Sequence, residues 1–159
     1  MSKVWMVALA ATLFPLAAVA QQDASLEFEN VWVRAMPPFQ PNSAGYLTLT
    51  NRGKAAVAIV GASSNVAESV ELHTTREVDG LMRMEKLTGL AVAPGERVEF
   101  APGGKHLMLF GLAFRLVPGD DVQICFQLIT DEEVCTDAEV RMSGDTPDAQ
   151  DHQHHHSTE

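Results

Sequence analysis

Residues 102–112 read Pro102-Gly103-Gly104-Lys105-His106-Leu107-Met108-Leu109-Phe110-Gly111-Leu112. A Pro-Gly-Gly turn runs directly into a segment in which Leu107 and Leu109 alternate with His106 and Met108. Side chains two apart on an extended strand share a face. The leucines therefore point to a core, and the histidine and methionine stand together on the opposite side. The same period recurs upstream. Gly45-Tyr46-Leu47-Thr48-Leu49-Thr50 alternates and ends at the turn Asn51-Arg52-Gly53. In Ser69-Val70-Glu71-Leu72-His73, Val70 and Leu72 oppose Glu71 and His73.

Working outward, helical periodicity is hard to find after residue 25, while turn residues punctuate the chain. Leu26-Glu27-Phe28 and Val31-Trp32-Val33 are expected as short strand pieces, followed by an irregular loop through Pro37-Pro38 and Pro41. Further strands are expected over 45–50, 55–60, 69–73, 81–87, 97–100, 105–112, 122–129 and 134–140, with turns at Pro94-Gly95 and Pro118-Gly119. About nine short strands at this spacing predict an all-β fold, an antiparallel sandwich or Greek-key barrel.

The first 20 residues combine Lys3, the apolar run Val7–Phe14 and the small residues Ala18-Val19-Ala20. That is the pattern of a secretory signal peptide, too short for a span of about 20 apolar residues. Residues 21–142 then form one domain, expected without a membrane span. From 143 to 159 apolar residues nearly vanish, and this segment is expected to stay disordered. The 159-residue chain carries a formal charge of −10, and loss of Lys3 makes it one unit more negative. Such a charge disfavours nucleic acid and anionic lipid as partners.

Cys125 and Cys135 flank Thr130-Asp131-Glu132-Glu133, which reads as a hairpin turn. In an exported chain a structural disulfide is favoured. The rival reading, a thiolate metal site, lacks Cys-x-x-Cys spacing.

Of six histidines, only His73 and His106 fall within the domain, both near methionines. Met82 and Met84 share a face on the strand from Leu81; Met82 is expected to be core filler. Imidazole nitrogen and thioether sulfur form a soft-to-intermediate donor set that suits Cu(I) and poorly suits hard divalent ions. Zinc sites do not use thioether. Glu71 shares a face with His73 and is expected to orient its ring. No nucleophile–base set is evident, so the domain is not expected to be an enzyme.

His73, Met84, His106 and Met108 are separated by ten, twenty-one and one residues. This His-x10-Met-x21-His-x-Met arrangement resembles the signature of the periplasmic copper chaperone family PCu(A)C. Trp32-Val33-Arg34-Ala35 with Pro37-Pro38, and Ala44 to Asn51, look like that family's amino-terminal strands, so the resemblance covers roughly residues 25 to 141. It implies a cupredoxin-like β-sandwich or barrel, a solvent-accessible Cu(I) site at those four residues, and a periplasmic location. It also implies delivery of copper to the CuA centre of cytochrome c oxidase, alongside a Sco-type protein; a monomer is expected. The two cysteines stand outside the family pattern. Copper scavenging for tolerance is the alternative. An electron-transfer cupredoxin would need a Cys thiolate beside two histidines, and neither cysteine sits near His106.

The end of the chain, with His152, His154, His155 and His156 near Asp148 and Asp151, offers donors suited to Cu(II) or Ni(II). It resembles the metal-binding extensions of some family members. A solvated low-complexity end or a tag remnant would have a related composition, although Gln153 interrupts the run.

Overall fold

A computed structural model describes residues 26–142. The expected signal peptide (1–20) and His-rich tail (143–159), with His152, His154, His155 and His156, lie outside the described residues. Ten strands follow one another: β1 (Leu26–Arg34), β2 (Ser43–Asn51), β3 (Val57–Ser64), β4 (Ala67–Val78), β5 (Leu81–Lys86), β6 (Leu90–Val92), β7 (Arg97–Phe100), β8 (Lys105–Leu112), β9 (Val122–Leu128) and β10 (Glu133–Arg141). There is no helix among the described residues.

The strands run in the order β4-β8-β2-β1-β10-β9-β3, and β3 returns to β4 through the pair Ala62–Val70. Seven strands thus close a barrel, with β5 added to β4, β6 to β3 and β7 to β2. Closure leaves no free edge within the ring. β1 and β10 pair in parallel, Arg34 beside Arg141; the remaining ladders are antiparallel. The all-β cupredoxin-like expectation holds, in its barrel form.

Period-two alternation explains what fills the interior. Leu47 and Leu49 of β2, Leu107 and Leu109 of β8, and Ile124 and Phe126 of β9 make the core, with Val33 and Val140 from the parallel seam. Gly45 faces inward too. A Cβ there would meet Leu107 Cβ, Ile124 Cδ1 and Leu109 Cδ1 at 3.4–3.5 Å, ordinary van der Waals contact with the core. Asn51 is fully buried, and its amide donates to the carbonyls of Ala55 (2.8 Å) and Val92 (3.0 Å), which meets the need of a buried polar group for partners.

Several expected boundaries shift. The two amino-terminal pieces are one strand, β1, with a register irregularity between Glu29 and Trp32 where Asn30 takes φ +51°. A bulge is hidden from a strict alternation count because it inserts an unpaired residue. The strand expected over 55–60 lies at Val57–Ser64, and β4 extends well beyond His73 to Val78. The three-residue β6 went unread, being too short to show a period. Cys125 and Cys135 are directly opposed on β9 and β10 and form a disulfide, as favoured from the sequence; in this form they cannot be thiolate ligands.

Candidate metal centre

The closed barrel turns the leucines of β8 inward, Leu107 and Leu109 both 0% exposed. His106 and Met108 are thereby turned to the outer face of the barrel wall, His106 buried and Met108 half-buried. Strand β4 lies antiparallel beside β8 with His73 directly opposite His106 and Glu71 opposite Met108. The two imidazole rings are 5.9 Å apart, centroid to centroid. On the other side of β4, β5 places Met84 opposite Thr75 and Lys86 opposite His73. All four residues singled out by spacing therefore stand on one face of the β5-β4-β8 stretch. His73 is its centre: His106 is its cross-strand partner, and Met84 and Met108 occupy diagonal positions on its two sides. Diagonal neighbours on a sheet are about 7–8 Å apart, within reach of long side chains.

Hydrogen bonds decide which ring nitrogens remain open. His106 Nδ1–H donates to the Gly104 carbonyl at 3.0 Å, which leaves Nε2 without a proton in the neutral ring. The same carbonyl accepts the Thr75 amide at 3.0 Å, tying the His106 ring to β4. In His73 the arrangement is reversed. Nε2–H donates to Glu71 Oε2 at 2.9 Å, while Nδ1 is buried and has no hydrogen-bond partner. A buried nitrogen lone pair without a donor is costly in a low-dielectric setting; a metal ion would satisfy it. The donor set of two such nitrogens and two thioethers fits a soft cation.

Glu71 is in turn held by Lys86, whose Nζ donates to Oε1 at 2.6 Å. The bonds from Lys86 and then His73 keep its carboxyl below the usual carboxylate range. An ionised Glu71 fixes the tautomer and orientation of the His73 ring, the usual arrangement around a ligating histidine. Exposure across the face is uneven. His106 is only 6% exposed, whereas Met84 is 55% exposed. Met82, expected as core filler, is instead an exposed neighbour of Met84.

Three contributors went unread in the sequence. The Gly104 carbonyl and Lys86 act through backbone geometry and cross-strand register, which residue types do not announce. Phe110, with its ring 6.2 Å from that of His73, shares the face of His106 and Met108, and extending the period-two count by one step would have found it.

The closed ring with its three added strands has the fold of PCuAC domains. It superposes on the Cu(I) form of DR1885 from Deinococcus radiodurans with a TM-score of 0.61 and 27% identity, over 80% of this chain and 84% of that one. It superposes equally well on the apo PCuAC domain of PmoF1, TM-score 0.61 at 21% identity, over 76% of this chain and 97% of that domain. The PCu(A)C likeness read from the sequence is thus borne out. The chain belongs to the LpqE-like family, described as "Putative lipoprotein LpqE-like", which matches residues 26–140. Among its relatives, "Putative lipoprotein Lxx21020" of Leifsonia xyli subsp. xyli is 30% identical over 105 residues, 65% of this chain. The match spans 62% of that relative, less than two thirds of its length.

Proposed function

We propose that this protein is an exported copper chaperone that carries Cu(I) on His73, Met84, His106 and Met108. The observation that carries this reading is the unpartnered, buried Nδ1 of His73, set opposite His106 and between two methionines on one face. The Cu(I) form of DR1885, similar over most of its length, supports copper as the ion. Neutral ligands leave the single charge of Cu(I) in place and give divalent ions no anionic donor, so the site discriminates by charge as well as softness.

The uneven exposure fits transfer rather than storage. Met84 is open to solvent and His106 is not, so an acceptor displaces the Met84 thioether first and the histidines last. The acceptor in this reading is the CuA centre of cytochrome c oxidase, reached in the periplasm together with a Sco-type protein. Copper scavenging is the competing role. A strain lacking the protein separates the two: delivery is supported if oxidase activity falls at low copper and returns on copper supplementation. Raised copper sensitivity with normal oxidase activity overturns delivery.

The site itself is tested by anaerobic Cu(I) titration against a chelator, with X-ray absorption on the loaded protein. A first shell mixing sulfur and nitrogen, lost in His106→Ala, is expected. A shell of nitrogen and oxygen alone overturns the assignment.

A further inference from the structure

A second group of metal-binding chemistry lies elsewhere on the barrel, separated from β4 by β3. The Cys125–Cys135 disulfide joins directly opposed residues of β9 and β10. Their neighbours Ile124, Phe126 and Ala138 fill the core, so the bridge is on the outside of the barrel. Cys135 is exposed and Cys125 is 8% exposed. A carboxylate oxygen of Glu133 and both sulfurs lie within 4.8 Å of one another. Glu133 is held there from β3, since Ser63 Oγ donates to Glu133 Oε1 at 3.3 Å and Ser63 is the cross-strand partner of Cys125.

This placement is poorly explained by stability alone. The bridge spans ten positions of sequence, within a hairpin whose strands are already paired above and below it. Cross-links that close short loops remove the least chain entropy from the unfolded state. Cys125 is buried but Cys135 is exposed, so a thiol can reach the bridge from the Cys135 side, and accessible disulfides are the ones that thiols reduce.

We propose that Cys125 and Cys135 are a redox-gated second metal site: reduced by a dithiol, they bind one Cu(I) ion as a pair of thiolates. A dithiol donates two electrons and two protons to the sulfur–sulfur bond. It becomes a disulfide itself, and the protein is left with two free thiols. Cu(I) then displaces both protons to solvent and forms two sulfur–copper bonds with no change in its oxidation state. The Cα atoms of the pair are 4.0 Å apart, and once the sulfur–sulfur bond is broken, rotation about χ1 opens the gap between sulfurs without moving the strands. Thiolate is the softest donor that a protein offers, and it selects Cu(I) over hard cations. Glu133 supplies negative charge beside the sulfurs that draws the cation in. The oxidised protein has no such site, so the ambient thiol balance sets the copper capacity of the chain. The inference does not rest on the face around His73.

The full-length protein tests it. Oxidised and dithiothreitol-reduced samples, desalted anaerobically, are titrated with Cu(I) while thiolate-to-copper charge-transfer absorption is followed. The reduced form is expected to take up one more equivalent than the oxidised form and to gain that absorption. Cys125→Ser/Cys135→Ser should remain at the oxidised stoichiometry. Reduced protein alkylated with iodoacetamide should do the same, which keeps the test valid if the serine variant misfolds. His106→Ala, reduced, should retain the extra equivalent, so failure of the His73–His106 site and failure of this one read differently. Equal uptake by both redox forms, resistance of the disulfide to reduction in the folded protein, or retention of Zn(II) in preference to Cu(I) would each overturn the proposal.

Discussion

His73 and His106 face each other across β4 and β8, yet their hydrogen bonds leave opposite nitrogens open: Nδ1 in His73 and Nε2 in His106. The difference follows from what stands behind each ring. A carboxylate on the same strand takes the far nitrogen of His73, and a turn carbonyl takes the near nitrogen of His106. In the proposed site the two rings would therefore meet a shared ion with different orientations, each fixed by its hydrogen bond beforehand. Such pre-set orientation lowers the cost of ordering on binding.

Glu71 sets the first of those orientations. Glu71→Gln keeps the shape but removes the charge shared with Lys86 and His73. Cu(I) affinity is expected to fall roughly 10–100-fold, the usual cost of losing a partner behind a ligand. Competition titration reads this directly, and wild-type affinity would remove Glu71 from the site.

Adjacent residues of β8 should behave oppositely. Leu107 is wholly buried, so Leu107→Ala is expected to cost about 2–5 kcal/mol of stability. Met108 lies half-buried on the outer face, and Met108→Ala is expected to cost about 1 kcal/mol or less while weakening Cu(I) binding strongly. Denaturant unfolding and Cu(I) titration on both variants check the pair. Similar stability losses in both would contradict the alternation.

Tyr46 is the single tyrosine of the chain, so its ionisation is readable by absorbance. Burial pushes its pKa above 10.0, and the nearby Arg34 guanidinium, which donates to the phenol oxygen at 2.8 Å, only partly opposes this. A group whose pKa is raised on folding contributes stability that is complete below its unfolded pKa. That contribution is lost as pH rises through the folded value. The alkaline titration midpoint is expected above 10.0 in the folded protein and to relax towards it in denaturant. A folded midpoint at or below the ordinary value would contradict the buried phenol.

Removing residues 143–159 is expected to abolish Cu(II) binding by His152, His154, His155 and His156 while leaving Cu(I) affinity at the barrel unchanged. Paramagnetic resonance of the Cu(II)-loaded chain and Cu(I) titration of both forms test it. Loss of Cu(I) binding on truncation would shift the primary site to the tail.

Much of this architecture was legible because period-two alternation is local. His106-Leu107-Met108-Leu109 already states which residues face inward. The parallel pairing of β1 with β10 was not legible, since it joins residues about as far apart as the domain allows. Nor was the bulge at Asn30, or β6, whose three residues between Gly89 and Pro94 look like loop. At the candidate metal centre the four residues of the proposed site stand out in the sequence by type and spacing. The roles of the Gly104 carbonyl and of Lys86 depend on cross-strand register, which single-sequence reading does not supply.

The parallel seam has a consequence for how the protein comes to be made. The ring is closed by its own first and last strands, so β1 and β9 both keep unpaired edges until Glu133–Arg141 arrives. A nascent chain of any shorter length cannot complete the barrel, and contacts between chain ends are among the slowest to form. Completion of the barrel has to wait until synthesis of the domain is essentially finished. A polypeptide in that condition stays threadable, and for an exported protein, as proposed above, that would suit passage through a narrow translocation channel before folding on the far side.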